Sequence, residues 1–406
     1  MTQGVVSVSR RQVRRSVVVT VLGLMQILSW GSTFYLLPVL AKSIVQDTGW
    51  PYDWVMGGVA LGLLVAGTVS PRVGLEISRY GGRVVLACGS ATIAVGLAII
   101  GVAAYFPVYL IGWAIVGAGM GAALYDAAFS TLGAIYGKSA RSAITSVTLL
   151  GGFASTVCWP LSAFLVNQMG WRGACLTYAA LHIAIGVTLA LLAIPAGRLK
   201  SSVSTAVQDA PLPRLKPEER ATFLLLAMVL TLSAAILSLV GTQLITLLLA
   251  SGLSLSQAVV LGIIIGPSAV GARLVEMLAG SRYHPFWTQA ASATLVVFGA
   301  LLFLAGPAAF IFAIAVYAAG NGIGSIAKGT LPLALFGPVR YPVLMGKIGL
   351  PVLVAMSLAP YVGALSFTYG GATATFSLLL GIATVNTILV AVLFVLTKER
   401  RAHEAA

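Results

Sequence analysis

Gly117–Gly137 (GAGMGAALYDAAFSTLGAIYG) and Gly320–Gly337 (GNGIGSIAKGTLPLALFG) follow one plan. Each opens on three alternating glycines: Gly117, Gly119 and Gly121 in one, Gly320, Gly322 and Gly324 in the other. Each then carries a single charge, Asp126 or Lys328, and closes on an aromatic-glycine pair, Tyr136-Gly137 or Phe336-Gly337. A shift of 200 positions superimposes the closing pairs, and lays Gly62 on Gly262, Glu76 on Glu276, Pro160 on Pro360 and Gly170 on Gly370. In a chain with 45 glycines, chance identities are frequent. These fall in order on turns, helix ends and one acid, so the chain reads as one bundle written twice.

The surrounding composition says what kind of bundle. The 406 residues are 59% hydrophobic and 8% charged, where a soluble globule carries about 25% charge. A membrane-crossing helix needs about 20 mainly apolar residues. Twelve such stretches are predicted: 16–41, 52–73, 83–104, 108–135, 142–167, 173–195, 222–250, 256–279, 287–305, 307–335, 343–367 and 372–396. The expected fold is an all-α membrane protein of two pseudo-symmetric six-helix bundles, 1–195 and 222–406. Between them, 196–221 is polar, basic and proline-bearing, as a cytoplasmic linker would be. Gly58 and Gly62, and again Gly262 and Gly266, have the GxxxG spacing that lets helix backbones approach in lipid.

A net charge of +14 raises the question of nucleic acid, and position answers it. Of 24 Lys and Arg, 19 lie at the two ends of the chain or in every second loop, including Arg10, Arg11, Arg14 and Arg15, Arg72, Arg79 and Arg83, Lys138 and Arg141, Arg282 and Arg340. Only Lys42 and Arg172 lie in the alternate loops. This is the positive-inside bias of a multi-pass membrane protein with both termini cytoplasmic. A bacterial inner membrane, a lipid partner, no nucleic acid and a monomer are the corresponding expectations. Ser9-Arg10-Arg11 reads as a basic flank of the first helix, because the apolar run behind it is too long for an export signal and no small-residue cleavage site follows. Cys88, Cys158 and Cys175 have no metal-ligand spacing and are expected to be small buried hydrophobes. No metal, cofactor or nucleophile-base set is expected, so the chain does not read as an enzyme.

The loop between the second and third predicted helices reads Gly74-Leu75-Glu76-Ile77-Ser78-Arg79-Tyr80-Gly81-Gly82-Arg83. It resembles the signature loop of the major facilitator superfamily, which has a glycine, an Asp-Arg pair, a glycine and closing basic residues. The resemblance implies a secondary transporter working by alternating access, with Gly74, Arg79, Gly81 and Arg83 as a cytoplasmic gate loop. One departure stands out. Ser78 occupies the place of the acid that in the family helps latch the halves, so either the latch is weaker here or Glu76 replaces it. Gly151 through Pro160 does not match the motif of the superfamily's drug/proton antiporters. An Arg in the eighth helix with basic residues in the tenth and eleventh is similar to the oxalate/formate and monocarboxylate branches.

Ionisable groups inside the spans are few: Asp126, Arg273, Glu276, Lys328 and Lys347. Such residues are costly in hydrocarbon and mark pathways. Arg273 and Glu276, three apart, share a helix face and can pair. Asp126 and Lys328 occupy equivalent places in the two halves and would wall one cavity with an acid and a base. Arg273 offers a planar fork for a carboxylate, with Lys328 a second positive point. Burial favours a neutral acid and a nearby cation favours its carboxylate, so Asp126 and Glu276 are the candidate proton carriers. Tyr125, Trp30, Tyr35 and Gln243 are candidate lining residues. Lys347 reads as an interfacial residue whose stem lies along the helix, and His182 as a satisfied packing residue.

The favoured substrate is a small organic anion such as a monocarboxylate, moved with protons. Efflux of a drug or of a metalloid such as arsenite is the first alternative. A non-transporting membrane sensor or receptor is the alternative of another class. The orientation is testable in intact cells: single cysteines placed beside Lys42 or Arg172 should react with an impermeant thiol reagent added outside. A cysteine at Ser202 should not, and labelling there reverses the topology.

Overall fold

The computed structural model describes residues 14–195, 215–279 and 282–405. Most of the predicted linker (196–214), the flank carrying Arg10 and Arg11, and the side chains beyond Lys398 lie outside the described residues. No strand occurs among the described residues. The first half holds α1 (Arg15–Gly31), α2 (Leu37–Thr48), α3 (Tyr52–Tyr80), α4 (Gly82–Gly101), α5 (Phe106–Ala123), α6 (Tyr125–Tyr136), α7 (Ala140–Gly151), α8 (Ala154–Leu181) and α9 (Thr188–Ala193). The second holds α10 (Pro217–Ala250), α11 (Leu255–Ile263), α12 (Ile265–Ala279), α13 (Pro285–Leu304) and α14 (Phe310–Ala405). Every predicted span falls on helix.

Seven stretches among the described residues are long and apolar enough to cross a bilayer, and two of them run 88 and 92 residues. Those two are folded back on themselves at glycines. Gly170 in α8 has φ 71°, and Gly337 and Gly371 in α14 have φ 72° and 66°, a region that side-chain-bearing residues avoid. The bonds prove the reversals. The Ser162 and Tyr178 hydroxyls lie 2.8 Å apart across Gly170, although the residues are 16 positions apart, a separation of about 24 Å on a straight helix. The Tyr341 hydroxyl donates to Gly329 O at 2.6 Å across Gly337. The repeat is thus visible in the turns, since Gly137 also has positive φ, 56°. Its last landmark is off by one: Gly371, not Gly370, is the turning residue.

Several crossings are broken midway, and each break has a local cause. The first crossing parts at Ser32–Leu36, and Pro38 sits in the first turn of α2, where its missing N–H costs nothing. The fourth parts at Leu124, with φ −77° and ψ −174°. The fifth parts at Gly152-Phe153, between α7 and α8. Pro360 in α14 has no N–H to offer Met356 O, and Ser238 of α10 donates to that carbonyl instead, at 2.6 Å.

Close packing relies on small residues, as expected, with one exception. A Cβ on Gly58 or Gly62 would run into Trp113, and one on Gly117 into the backbone of Gly62. Gly266 has open space around it, and Gly262 meets only Ile245. The GxxxG spacing is therefore a contact face in α3 and not in α11–α12. The two halves meet where α3 lies on α14: Cβ atoms on Gly74 or Gly346 would strike backbone of the facing helix. That seam lies toward the end bearing Gly81, Gly137 and Gly337, here termed the basic end. There Arg340 holds Glu219 through two bonds, at 2.5 and 2.8 Å, joining α10 to α14.

At the opposite end Arg172 pairs with Asp47, Trp171 Nε1 donates to the same carboxylate at 3.0 Å, and Arg172 donates to Ala103 O at 3.2 Å. The hydrogen bonds from Arg172 and then Trp171 hold the Asp47 carboxyl below its ordinary 3.8. A carboxyl lowered in the fold contributes stability above its unfolded value, and that contribution is lost as pH falls through the folded one. Both side chains are over 40% exposed, so screening keeps the effect small. Melting temperature followed from neutral pH down to about 3 should fall less steeply in Asp47→Asn than in the parent. Identical slopes would show that the pair contributes nothing.

Candidate functional site

The fourth crossing breaks at Leu124, so α6 starts afresh at Tyr125 and Asp126 falls in its first turn. There the unpaired N–H groups and the helix dipole favour a negative charge. The break also frees carbonyls at the end of α5. Gln26 of α1 answers one, Nε2 donating to Ala123 O at 2.8 Å. An acid is thereby set at mid-bundle on a helix end rather than on a uniform helix wall.

Lys328 of α14 meets it: Nζ lies 2.7 Å from Asp126 Oδ1. The contact joins the two halves. It is an ion pair without hydrogen-bond alignment, because that oxygen has no geometrically sound donor. Asp126 is 8% exposed. The pair walls a small cavity of about 20 Å³ with Trp30, Met120, Leu124, Tyr125, Leu353 and Met356, room for one water. Trp30 Nε1 is buried there without a partner among the described residues. A Cβ on Gly349 would touch Ser70 and lie 3.4 Å from Asp126 Oδ2, so α3, α6 and two stretches of α14 converge on this carboxylate.

Arg273 of α12 is 9% exposed. Its Nε donates to Gly322 O at 3.1 Å and to Ser325 Oγ at 3.2 Å. No carboxylate stands within 4 Å of it among the described residues. Its Nη1 presses on Gly152, where a Cβ would collide, and the Tyr125 hydroxyl occupies the same relation to Gly151. The glycine pair in the fifth crossing therefore brings a tyrosine of one half beside a guanidinium of the other. Around them runs an aromatic chain: Trp30 lies 5.4 Å from Tyr125 and 6.3 Å from Tyr35, and Tyr35 lies 6.2 Å from Trp159.

Two predicted site residues are bonded to other partners. Glu276 does not pair with Arg273. It lies 3.7 Å from Arg141 Nη2 of the other half and accepts from Thr288 at 2.7 Å. Helical spacing puts Arg273 and Glu276 on neighbouring positions, but the guanidinium is drawn to the carbonyl of Gly322 and the carboxylate to a cation on α7. Gln243 spends its amide on Pro360 O at 2.8 Å, fastening α10 to α14. In the stretch from Gly74 to Arg83, Glu76 does not take the place of the missing acid. Ser78 donates to Leu75 O within its own helix at 2.7 Å, and neither Glu76, Arg79 nor Arg83 makes an ion pair among the described residues. Gly81, with φ 83°, turns the chain from α3 into α4. Lys347 is exposed. His182 is fully buried between Ser32, 2.7 Å from Nε2, and Ser90, 2.9 Å from Nδ1, a satisfied packing residue. Cys158 and Cys175 are buried, but Cys88 is exposed.

Sequence reasoning missed Arg141, Leu353 and Met356. Arg141 counted only as one more loop cation. Its Nη1 also donates to Tyr283 O at 2.5 Å, so it reaches two groups of the opposite half.

This bundle of apolar helices, with an acid of one half facing a base of the other in its interior, is the architecture of a membrane carrier. The sequence profile of the Major Facilitator Superfamily matches residues 22–327, and the chain belongs to that family. The human organic anion transporter MFSD10 (TETRAN) has a similar fold, with a TM-score of 0.75 at 17% identity, over 94% of this chain and 100% of that one. The E. coli fucose:proton symporter FucP matches with a TM-score of 0.71 at 16% identity, over 95% and 98%. FucP in its outward conformation gives 0.69 at 16% identity, over 94% and 98%. No curated protein matches the chain. The family and these folds support membrane transport of a small solute by an integral, multi-pass membrane protein.

Arg141 and Glu276 form the ion pair that bridges the halves at the basic end. Exchanging the charges, Arg141→Glu with Glu276→Arg, should restore what either single change removes. Glu276→Gln should widen the distance between spin labels at Lys138 and Arg282. An unchanged distance distribution would leave the pair without a role in closure.

Proposed function

We propose that the protein carries a small organic anion, such as a monocarboxylate, by alternating access coupled to a proton. The observation behind this reading is the 2.7 Å contact between Asp126 and Lys328 across the halves, beside an Arg273 that has no carboxylate partner among the described residues. A proton on Asp126 cancels its charge and releases Lys328. Lys328 and the Arg273 fork then offer two cations to an incoming anion. The anion in turn favours the protonated acid, because a carboxylate stripped of its cation in a dry site is expensive. Each ligand therefore raises the affinity for the other, as linkage requires.

Trp30, Tyr35 and Tyr125 would supply the apolar wall, and Trp30 Nε1, which has no partner, a neutral donor to the anion. The bodies that rock are the bundles 1–195 and 222–406, with 196–221 as their tether. The basic end faces the cytoplasm of a bacterial inner membrane. Glu276, held by Arg141, belongs to the closing contact rather than to proton transfer. MFSD10 is an organic anion transporter and FucP a fucose:proton symporter, and the proposal combines an organic anion with a proton.

Proteoliposomes with and without an imposed pH gradient provide the test. Asp126→Asn should still exchange substrate but fail to accumulate it. In the same vesicles Arg273→Lys should lower transport about tenfold or more, the loss expected for a charge-assisted hydrogen bond. Accumulation at the parent level in the Asn variant would remove Asp126 from the coupling step.

A further inference from the structure

The seam between the first turns of α1 and α7 forms a second concave site, far from the central charges. It is a groove of about 500 Å³ lined by Arg15, Ser16, Val19, Thr20, Ser142, Ala143, Ser146, Leu149 and Leu150. No acid lines it. Arg15 is fixed in place: Nη2 donates to Ser139 O at 2.7 Å and to Ser142 Oγ at 2.5 Å. Its guanidinium also lies 5.1 Å from the centre of the Tyr136 ring. Nε and Nη1 remain available as donors, and Arg14 stands exposed beside it.

Ser16 and Thr20 are one turn apart on α1, and Ser142 and Ser146 one turn apart on α7, so four hydroxyl-bearing residues line one groove. Ser142 Oγ accepts from Arg15, and Ser146 Oγ donates to Ser142 O at 2.9 Å. These are opening turns, at the level of the lipid headgroups, where hydroxyls can meet a phosphate. Deeper in, Val19, Leu149 and Leu150 continue the groove as an apolar wall.

We propose that this seam binds an anionic phospholipid, its phosphodiester at Arg15 and the hydroxyls and an acyl chain along Val19, Leu149 and Leu150. A preorganised guanidinium with spare donors suits a phosphate oxygen pair. Basic pockets between membrane helices at the cytoplasmic face are the places where anionic headgroups lodge. A free anion would use only the upper, polar half of the groove, so the lipid is the occupant that fits its whole length.

The experiment measures lipid retained by the purified full-length protein, by native mass spectrometry from mixed micelles of phosphatidylglycerol and phosphatidylcholine. The parent should keep phosphatidylglycerol in preference. Arg15→Gln should hold it about fivefold less tightly, the loss of one surface cation. Lys398→Gln, which removes an exposed charge elsewhere at the same end, should behave as the parent. Ser146→Phe fills the groove without touching the bonds of Arg15, and should also lose the lipid, which decides the matter if Arg15→Gln does not fold. Glycerol 3-phosphate should not displace the lipid at equal concentration. Equal retention of the two lipids by the parent, undiminished retention in Ser146→Phe, or displacement by glycerol 3-phosphate would each overturn the proposal.

Discussion

A backbone carbonyl in hydrocarbon has no water to bond, and much of this structure follows from that constraint. Carbonyls freed at Leu124 and Pro360, and others inside unbroken helix, accept from a side chain of another crossing. Gln26 serves Ala123, Ser238 serves Met356 and Gln243 serves Pro360. Tyr341 serves Gly329, and Arg273 serves Gly322. The first two bonds offset the breaks, the others tie crossings together, and the breaks set Asp126 at a helix start and place Gly152 beside Arg273. Packing and site are therefore one arrangement: the groups that repair the backbone also define where charge can sit.

How much of this was legible depends on the range of the interaction. The twelve crossings were readable because each apolar run is a local property. The equivalence of Asp126 and Lys328 was readable because a repeat carries three-dimensional information into one dimension. Their contact at 2.7 Å is the consequence. Glu276 was misread for the opposite reason. Spacing along a helix tells which residues are neighbours on its surface, but Arg141 comes from another helix in the other half, and nothing in the sequence marks it as different from the topological cations around it. Gln243 looked like a cavity residue because it is polar in an apolar run. Its task is to hold α10 on α14.

The arrangement at the centre also explains why so few charges suffice. With Asp126 and Lys328 in contact, the middle of the bundle carries no net charge from them, and Arg273 is stabilised by neutral dipoles of Gly322 and Ser325. Removing one member of a buried pair strands the other, at a cost of about 3–5 kcal/mol. At the basic end the halves touch through backbone at Gly74, and the charge pair between them there is Arg141 and Glu276, on α7 and α12.

The seam of α3 on α14 has a consequence for how this protein evolves. At Gly74 and Gly346 backbone lies directly on backbone, with no room for even one methyl group. Contact of that kind acts only over a fraction of an ångström and does not weaken with ionic strength, as a latch made of charges would. The closed face is then a fit rather than an attraction, present in full or not at all. Genetic drift has no gradual path through such positions: the smallest replacement, alanine, already meets the facing backbone.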